Sequence, residues 1–154
     1  MLKQKTSFLF VLTLIVLTFL IQISNSLSST KNEIIARVEN QIITSYEMKN
    51  KIRTILFLSN QEINQNNINL IKNQALQQLI IYKLKKNSVI KSNIKISNNV
   101  QLNKYLENIS ERFNTDINGL EKIFDNNNLD YIIYKDEIEN DFKWKKLIFK
   151  KFNK

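Results

Sequence analysis

Beyond residue 33, the pattern of hydrophobic and polar positions begins with two short runs that are rich in β-branched residues. The runs Ile34 to Val38 and Gln41 to Ile43 flank the polar pair Glu39-Asn40. Such runs separated by two polar residues indicate a β-hairpin, and asparagine tolerates the left-handed backbone that a tight turn needs. The sequence therefore predicts a small hairpin with Asn40 as the left-handed residue.

Helical spacing of apolar residues follows the hairpin directly. Thr44 with Glu47 three residues later has the pattern of a capping box, which predicts a helix from about Ser45 to Leu58. Later stripes and caps predict four more helices: from about Ile68 to Lys86, from a cap at Ser97 through Phe113, from Thr115 or Asp116 to Asn126, and from a cap at Asp130 onward. Residues Val89 to Ile96 read as a connector. The predicted fold class is mainly α, with a short N-terminal β-hairpin and about five helices in one module.

The first segment has the three parts of a secretory signal peptide. Lys3 and Lys5 precede an apolar run from Phe8 to Ile21, and small residues at Ser26 and Ser28 fit a peptidase site. We expect cleavage after Ser28, and the alternative is an uncleaved membrane anchor. The predicted organisation is a signal peptide at 1–28, a linker at 29–33 and one helical domain at 34–154.

Composition removes most catalytic chemistry. The chain has no histidine, no cysteine, no proline and one glycine, so thiol nucleophiles, imidazole bases, thiolate metal sites and glycine-rich phosphate loops are all excluded. The prediction is no catalytic residue, no cofactor and no metal. The net charge of +9 invites a nucleic-acid partner. Because the lysines are scattered and the chain is expected to be exported, no nucleic-acid partner is predicted.

An acidic cluster occupies the predicted last helix. It comprises Asp136, Glu137, Glu139 and Asp141. We interpret it as a solvated face that makes salt bridges about one turn away along the same helix, with Lys135, Lys143 and Lys145.

Three stretches of the chain resemble a known family. "IIARVENQIITSYEM" is similar to the opening hairpin and first helix of the N-terminal domain of SurA-type periplasmic chaperones, and "LIKNQALQQLIIYKLKKNSVIKSNIKISNNVQLNKYLENI" resembles its second and third helices. "GLEKIFDNNNLDYIIYKDEIENDF" resembles its following element, with Tyr134 and Ile138 at matching positions. Asn128 stands where the family tends to have glycine, and Lys135 where it has arginine.

The resemblance implies a chaperone of the periplasm that binds unfolded polypeptides, notably outer-membrane protein precursors. Full-length family members carry parvulin-type peptidyl-prolyl isomerase domains, whose active site resembles a cluster of histidine with cysteine or aspartate. A chain without histidine and cysteine is not expected to be an isomerase. The alternatives are an envelope interaction protein with one dedicated partner and, less favoured, an accessory subunit of an isomerase.

Apolar residues near the end of the chain stop keeping to one helical stripe after Phe142. They are the predicted client-binding or partner-binding residues Trp144, Leu147, Ile148, Phe149 and Phe152. Apolar residues spread around a helix are exposed in a soluble monomer, so we expect a second copy, another chain or a client to cover them. The alternative is that they pack on the hairpin and first helix as ordinary core.

Overall fold

The computed structural model describes residues 32–94 and 100–152. These residues form strands β1 (Ile34–Val38) and β2 (Gln41–Thr44), followed by helices α1 (Ser45–Leu58), α2 (Gln65–Lys91), α3 (Val100–Glu111), α4 (Ile117–Asn126) and α5 (Tyr131–Phe152). The predicted fold class, a hairpin followed by five helices, is confirmed. The predicted signal peptide, residues 29–31 of the linker and the Ser97 cap lie outside the described residues.

The hairpin forms where it was predicted, but its turn differs in detail. β1 and β2 are antiparallel with Val38 opposite Gln41. The left-handed residue is Glu39, with φ of 53°, so the assignment of that conformation to Asn40 is wrong. The Glu39 carboxylate accepts hydrogen bonds from Asn87 and, at 3.3 Å, from Lys91. We attribute the strained backbone at Glu39 to these contacts, which tie the turn to α2.

The start of α1 confirms the predicted capping box. The Thr44 hydroxyl accepts from the Glu47 amide at 3.2 Å, and the Glu47 carboxylate accepts from the Thr44 amide at 2.9 Å. The other carboxylate oxygen of Glu47 pairs with Lys83 of α2 at 2.5 Å. One side chain thus starts α1 and joins it to α2.

Helix α2 is longer than the sequence pattern indicates. It begins at Gln65, where the Asn64 side chain accepts from the Asn67 amide at 2.9 Å, and continues to Lys91. The predicted connector is therefore wrong at its first three residues. Val89 is only 5% exposed, and burial of this face outweighs the weak helix propensity of the local sequence.

The core consists of two clusters. The smaller one joins α1 and α2 through Ile52, Leu56 and Ala75. The larger one joins α3, α4 and α5, and its buried members are Leu102, Leu106, Ile109, Leu120, Phe124, Leu129, Tyr131 and Tyr134. Helix α5 also packs along α2. The last helix therefore contacts both halves of the molecule.

Most acidic residues of α5 pair across helices. Lys86 and Lys85 of α2 pair with Asp136 at 2.7 Å and Asp141 at 2.8 Å, and Lys51 of α1 pairs with Glu137. The remaining member, Glu139, pairs with Lys143 within α5 at 2.6 Å, as predicted. The interpretation of the cluster as a solvated face that pairs with lysines of its own helix is therefore wrong for Asp136, Glu137 and Asp141. These carboxylates hold α5 against α1 and α2.

Burial raises, and pairing with lysines lowers, the pKa values of the carboxyls of Glu47, Asp136 and Glu137. Burial alone would raise the pKa of Glu47, but hydrogen bonds from Lys83 and Thr44 and the charge of Lys83 lower it. Burial likewise opposes the lowering of the pKa of Asp136, which hydrogen bonds from Lys86 and Tyr82 and the charge of Lys86 produce. At Glu137 burial prevails over Lys51, so the pKa is raised.

From these pKa directions we expect the protein to lose stability in acid, and we expect each carboxyl to affect that loss differently. A lowered pKa in the folded state stabilises the protein above the unfolded value, about 4, and that contribution disappears as the pH falls through the folded value. A raised pKa has the opposite sign: as the pH falls through the folded pKa of Glu137, protonation relieves the buried charge and stability rises. In urea unfolding measured from pH 7 to pH 3, Glu47→Gln should therefore flatten the loss below about pH 4.

Glu137→Gln should instead steepen the loss between neutral pH and about pH 4, because it removes a contribution that grows on acidification. Equal slopes for the wild type and both variants would contradict the assignment of these ion pairs.

Candidate functional site

All five predicted binding residues lie in the C-terminal half of α5, but they divide into two groups. Trp144, Leu147 and Ile148 are half-buried. Phe149 is 65% exposed and Phe152 is 70% exposed. Phe149 follows Trp144 by five residues, which places it about 140° away around the helix axis. The structure therefore brings only the two phenylalanines together on an open surface.

Phe149 and Phe152 share one face because residues three apart are neighbours on a helix. Exposed lysines lie nearby in the sequence, and the ammonium of Lys151 lies 5.8 Å from the centre of the Phe152 ring. One turn earlier, the ammonium of Lys145 lies 5.3 Å from the ring centre of Phe142. We call the exposed set Lys145, Phe149, Lys151 and Phe152 the basic aromatic surface.

The chemistry available to this surface is binding without bond formation. Its ammonium groups attract anions, and its two rings offer apolar area to another molecule. Within residues 32–94 and 100–152, no three acidic side chains are grouped so as to hold a metal ion. Across the same residues, no helix combines the length and apolar character required to cross a membrane.

Other exposed apolar residues were missed from the sequence. They lie on the hairpin, on α1, before and along α2, on α3 and near the start of α5: Ile34, Ile35, Ile42, Tyr46, Ile63, Leu70, Ile81, Leu84, Ile90, Val100, Tyr105 and Ile132. Leu84 fits the apolar stripe of α2, yet it is 42% exposed. Local spacing carries no signal for this exposure, because it depends on which side of α2 the hairpin, α1 and α5 occupy.

Comparison with protein families identifies the module. The family model described as SurA N-terminal domain matches residues 31–147. The chain belongs to this family. The resemblance seen in the hairpin and in the helices that follow is thereby confirmed for the SurA N-terminal domain. A comparison with the curated proteins gave no match. Phe149 and Phe152 lie beyond the matched residues, so a role for their side chains has to be argued from their own geometry.

Proposed function

We propose that this protein is a SurA-like periplasmic chaperone that binds unfolded polypeptides, outer-membrane protein precursors among them, and keeps them from aggregating. The observation that carries the proposal is the exposure of Phe149 and Phe152 on a helix that is otherwise well anchored in the fold. Membership of the SurA N-terminal domain family supports the same function.

The mechanism needs only reversible burial of apolar side chains. An unfolded client exposes aliphatic and aromatic residues, and covering them against the phenylalanines removes apolar surface from water. The lysines around the rings keep the complex soluble. Because Asp136, Glu137 and Asp141 fix α5 to α1 and α2, the rings are presented on a rigid support, which reduces the entropy lost on binding.

Replacing both phenylalanines with serine should weaken client binding about tenfold, since each ring would otherwise bury part of the roughly 1.5–3 kcal/mol available to a fully buried large side chain. The measurement is light scattering from a diluted, denatured outer-membrane protein at increasing concentrations of the purified chaperone. Both positions are exposed, so the fold should be retained, as circular dichroism can check.

A matched control lies at the other end of the same helix. Ile132 is 75% exposed, and Ile132→Ser should leave suppression of aggregation unchanged. Wild-type protein that fails to reduce scattering would contradict the chaperone proposal and favour a dedicated envelope partner. Sedimentation distinguishes the remaining alternative, because a second copy covering α5 would give a dimer that dissociates when Phe149 and Phe152 are replaced.

A further inference from the structure

The first half of α5 contains all of its acidic residues, and most of its lysines lie in the second half. The carboxylates of its first half are all paired with lysines: Asp136, Glu137, Glu139 and Asp141. From Phe142 to Lys154 the sequence has six lysines and no acidic residue. Lys143 pairs with Glu139, whereas the basic aromatic surface has no carboxylate within its own stretch of helix. This end of the molecule therefore presents positive charge beside its two exposed rings.

The helix dipole accounts for only part of this pattern. Lys150 and Lys151 lie in the last turn of α5, where cations stabilise the negative end of a helix. That effect requires no aromatic neighbours. It does not explain why Phe149 and Phe152 are exposed together beside lysines.

The arrangement of the surface suits a polypeptide better than a lipid bilayer. A helix that lies in a membrane interface separates an apolar face from a charged one. Here Lys145 precedes Phe149 by four residues and so lies on the same face, and the Lys151 ammonium lies over the ring of Phe152. Alternating charged and apolar contacts over short distances match a chain in which carboxylates and apolar side chains are neighbours.

We propose that the basic aromatic surface selects client segments in which acidic residues stand next to aromatic or aliphatic ones. The inference rests on the proposed chaperone function and specifies its substrate class. The client's apolar side chains cover Phe149 and Phe152, while its carboxylates pair with Lys145 and Lys151. Electrostatic complementarity of this kind contributes selectivity in addition to the apolar contact.

The test uses three short unfolded peptides with the same aromatic and aliphatic residues, in which the intervening positions are glutamate, serine or lysine. Their binding to the purified protein is measured by fluorescence anisotropy. The glutamate peptide should bind about tenfold more tightly than the lysine peptide. Raising the salt from about 50 to about 300 mM should reduce this difference, because exposed charges are screened.

Two double variants locate the effect. Replacing Lys145 and Lys151 with glutamine should abolish the preference, and replacing them with glutamate should reverse it. The matched control replaces the exposed lysines Lys72 and Lys104, on α2 and α3, with the same residues and changes the net charge equally. It should preserve the ranking of the three peptides.

The outcomes separate this inference from the proposed function. Equal affinity for the three peptides, together with intact suppression of aggregation, would overturn the selectivity and leave the chaperone function standing. Failure to bind any peptide, with intact suppression of aggregation, would likewise overturn only the selectivity. Failure in both assays would overturn both proposals. Binding to vesicles containing phosphatidylglycerol that is lost in the glutamine variant, without any peptide preference, would assign the surface to anionic lipid and overturn the inference.

Discussion

Replacing Phe124 with alanine should lower the free energy of unfolding by about 3–5 kcal/mol. The Phe124 side chain is fully buried at the centre of the larger core cluster. Its ring centre lies 5.9 Å from that of Phe57, 5.5 Å from that of Tyr131 and 4.9 Å from that of Tyr134. Alanine would leave a cavity between three helices that these large neighbours fill only in part. Urea unfolding followed by circular dichroism measures the loss.

Ile132→Ala is the control for Phe124→Ala, because Ile132 is 75% exposed and its truncation should change stability by no more than about 0.5 kcal/mol. If the two variants unfolded at the same urea concentration, the placement of α4 between α3 and α5 would be wrong.

Glu47→Ala should cost about 2–4 kcal/mol, the second-largest expected effect. Alanine removes the acidic half of the capping box and leaves the Thr44 amide without its acceptor. It also leaves Lys83, whose side chain is 11% exposed, without its carboxylate. An uncompensated charge in such a place is far more costly than the loss of an exposed ion pair.

Two further variants divide this effect into its parts. Thr44→Ala removes the hydroxyl cap but keeps the pair with Lys83, so it should cost about 1 kcal/mol. Glu139→Ala breaks the more exposed pair with Lys143 inside α5, and it should cost only about 0.3–0.5 kcal/mol. Chemical unfolding of the three variants under one set of conditions gives the ranking. A Glu47→Ala loss no larger than that of Glu139→Ala would contradict the link between α1 and α2.

The starts of α1, α4 and α5 could be predicted from the sequence because their signals are local. Thr44, Asp116 and Asp130 each accept a hydrogen bond from an amide three residues ahead, so the residue type and its position in the chain are sufficient. The hairpin was recognisable for the same reason. The end of α2 could not be predicted from the sequence, because the helix continues through Val89 as a result of burial that only the folded arrangement creates.

For the candidate site, too, the sequence carried the local signal but not the arrangement that depends on the fold. The loss of a single apolar stripe after Phe142 directed attention to the end of α5, where Phe149 and Phe152 are exposed. The spacing alone does not tell which side of the helix faces the bundle, so Trp144 and Phe149 were grouped together although they differ in exposure. Partners of Asp136 and Asp141 were misassigned because they come from α2, 50 and 56 positions earlier in the chain.

The polar partners of α1 have a consequence for the order in which the molecule is assembled. Tyr46 donates to Asp130 at 2.9 Å, Arg53 donates to the carbonyl of Asn127 at 2.8 Å, and Lys51 pairs with Glu137. Each of these contacts spans more than 70 residues of chain. Contacts between residues so distant in sequence slow the folding of a small domain. None of these three contacts can form before the chain has passed α4, so a nascent chain that ends there leaves Tyr46, Lys51 and Arg53 without these partners.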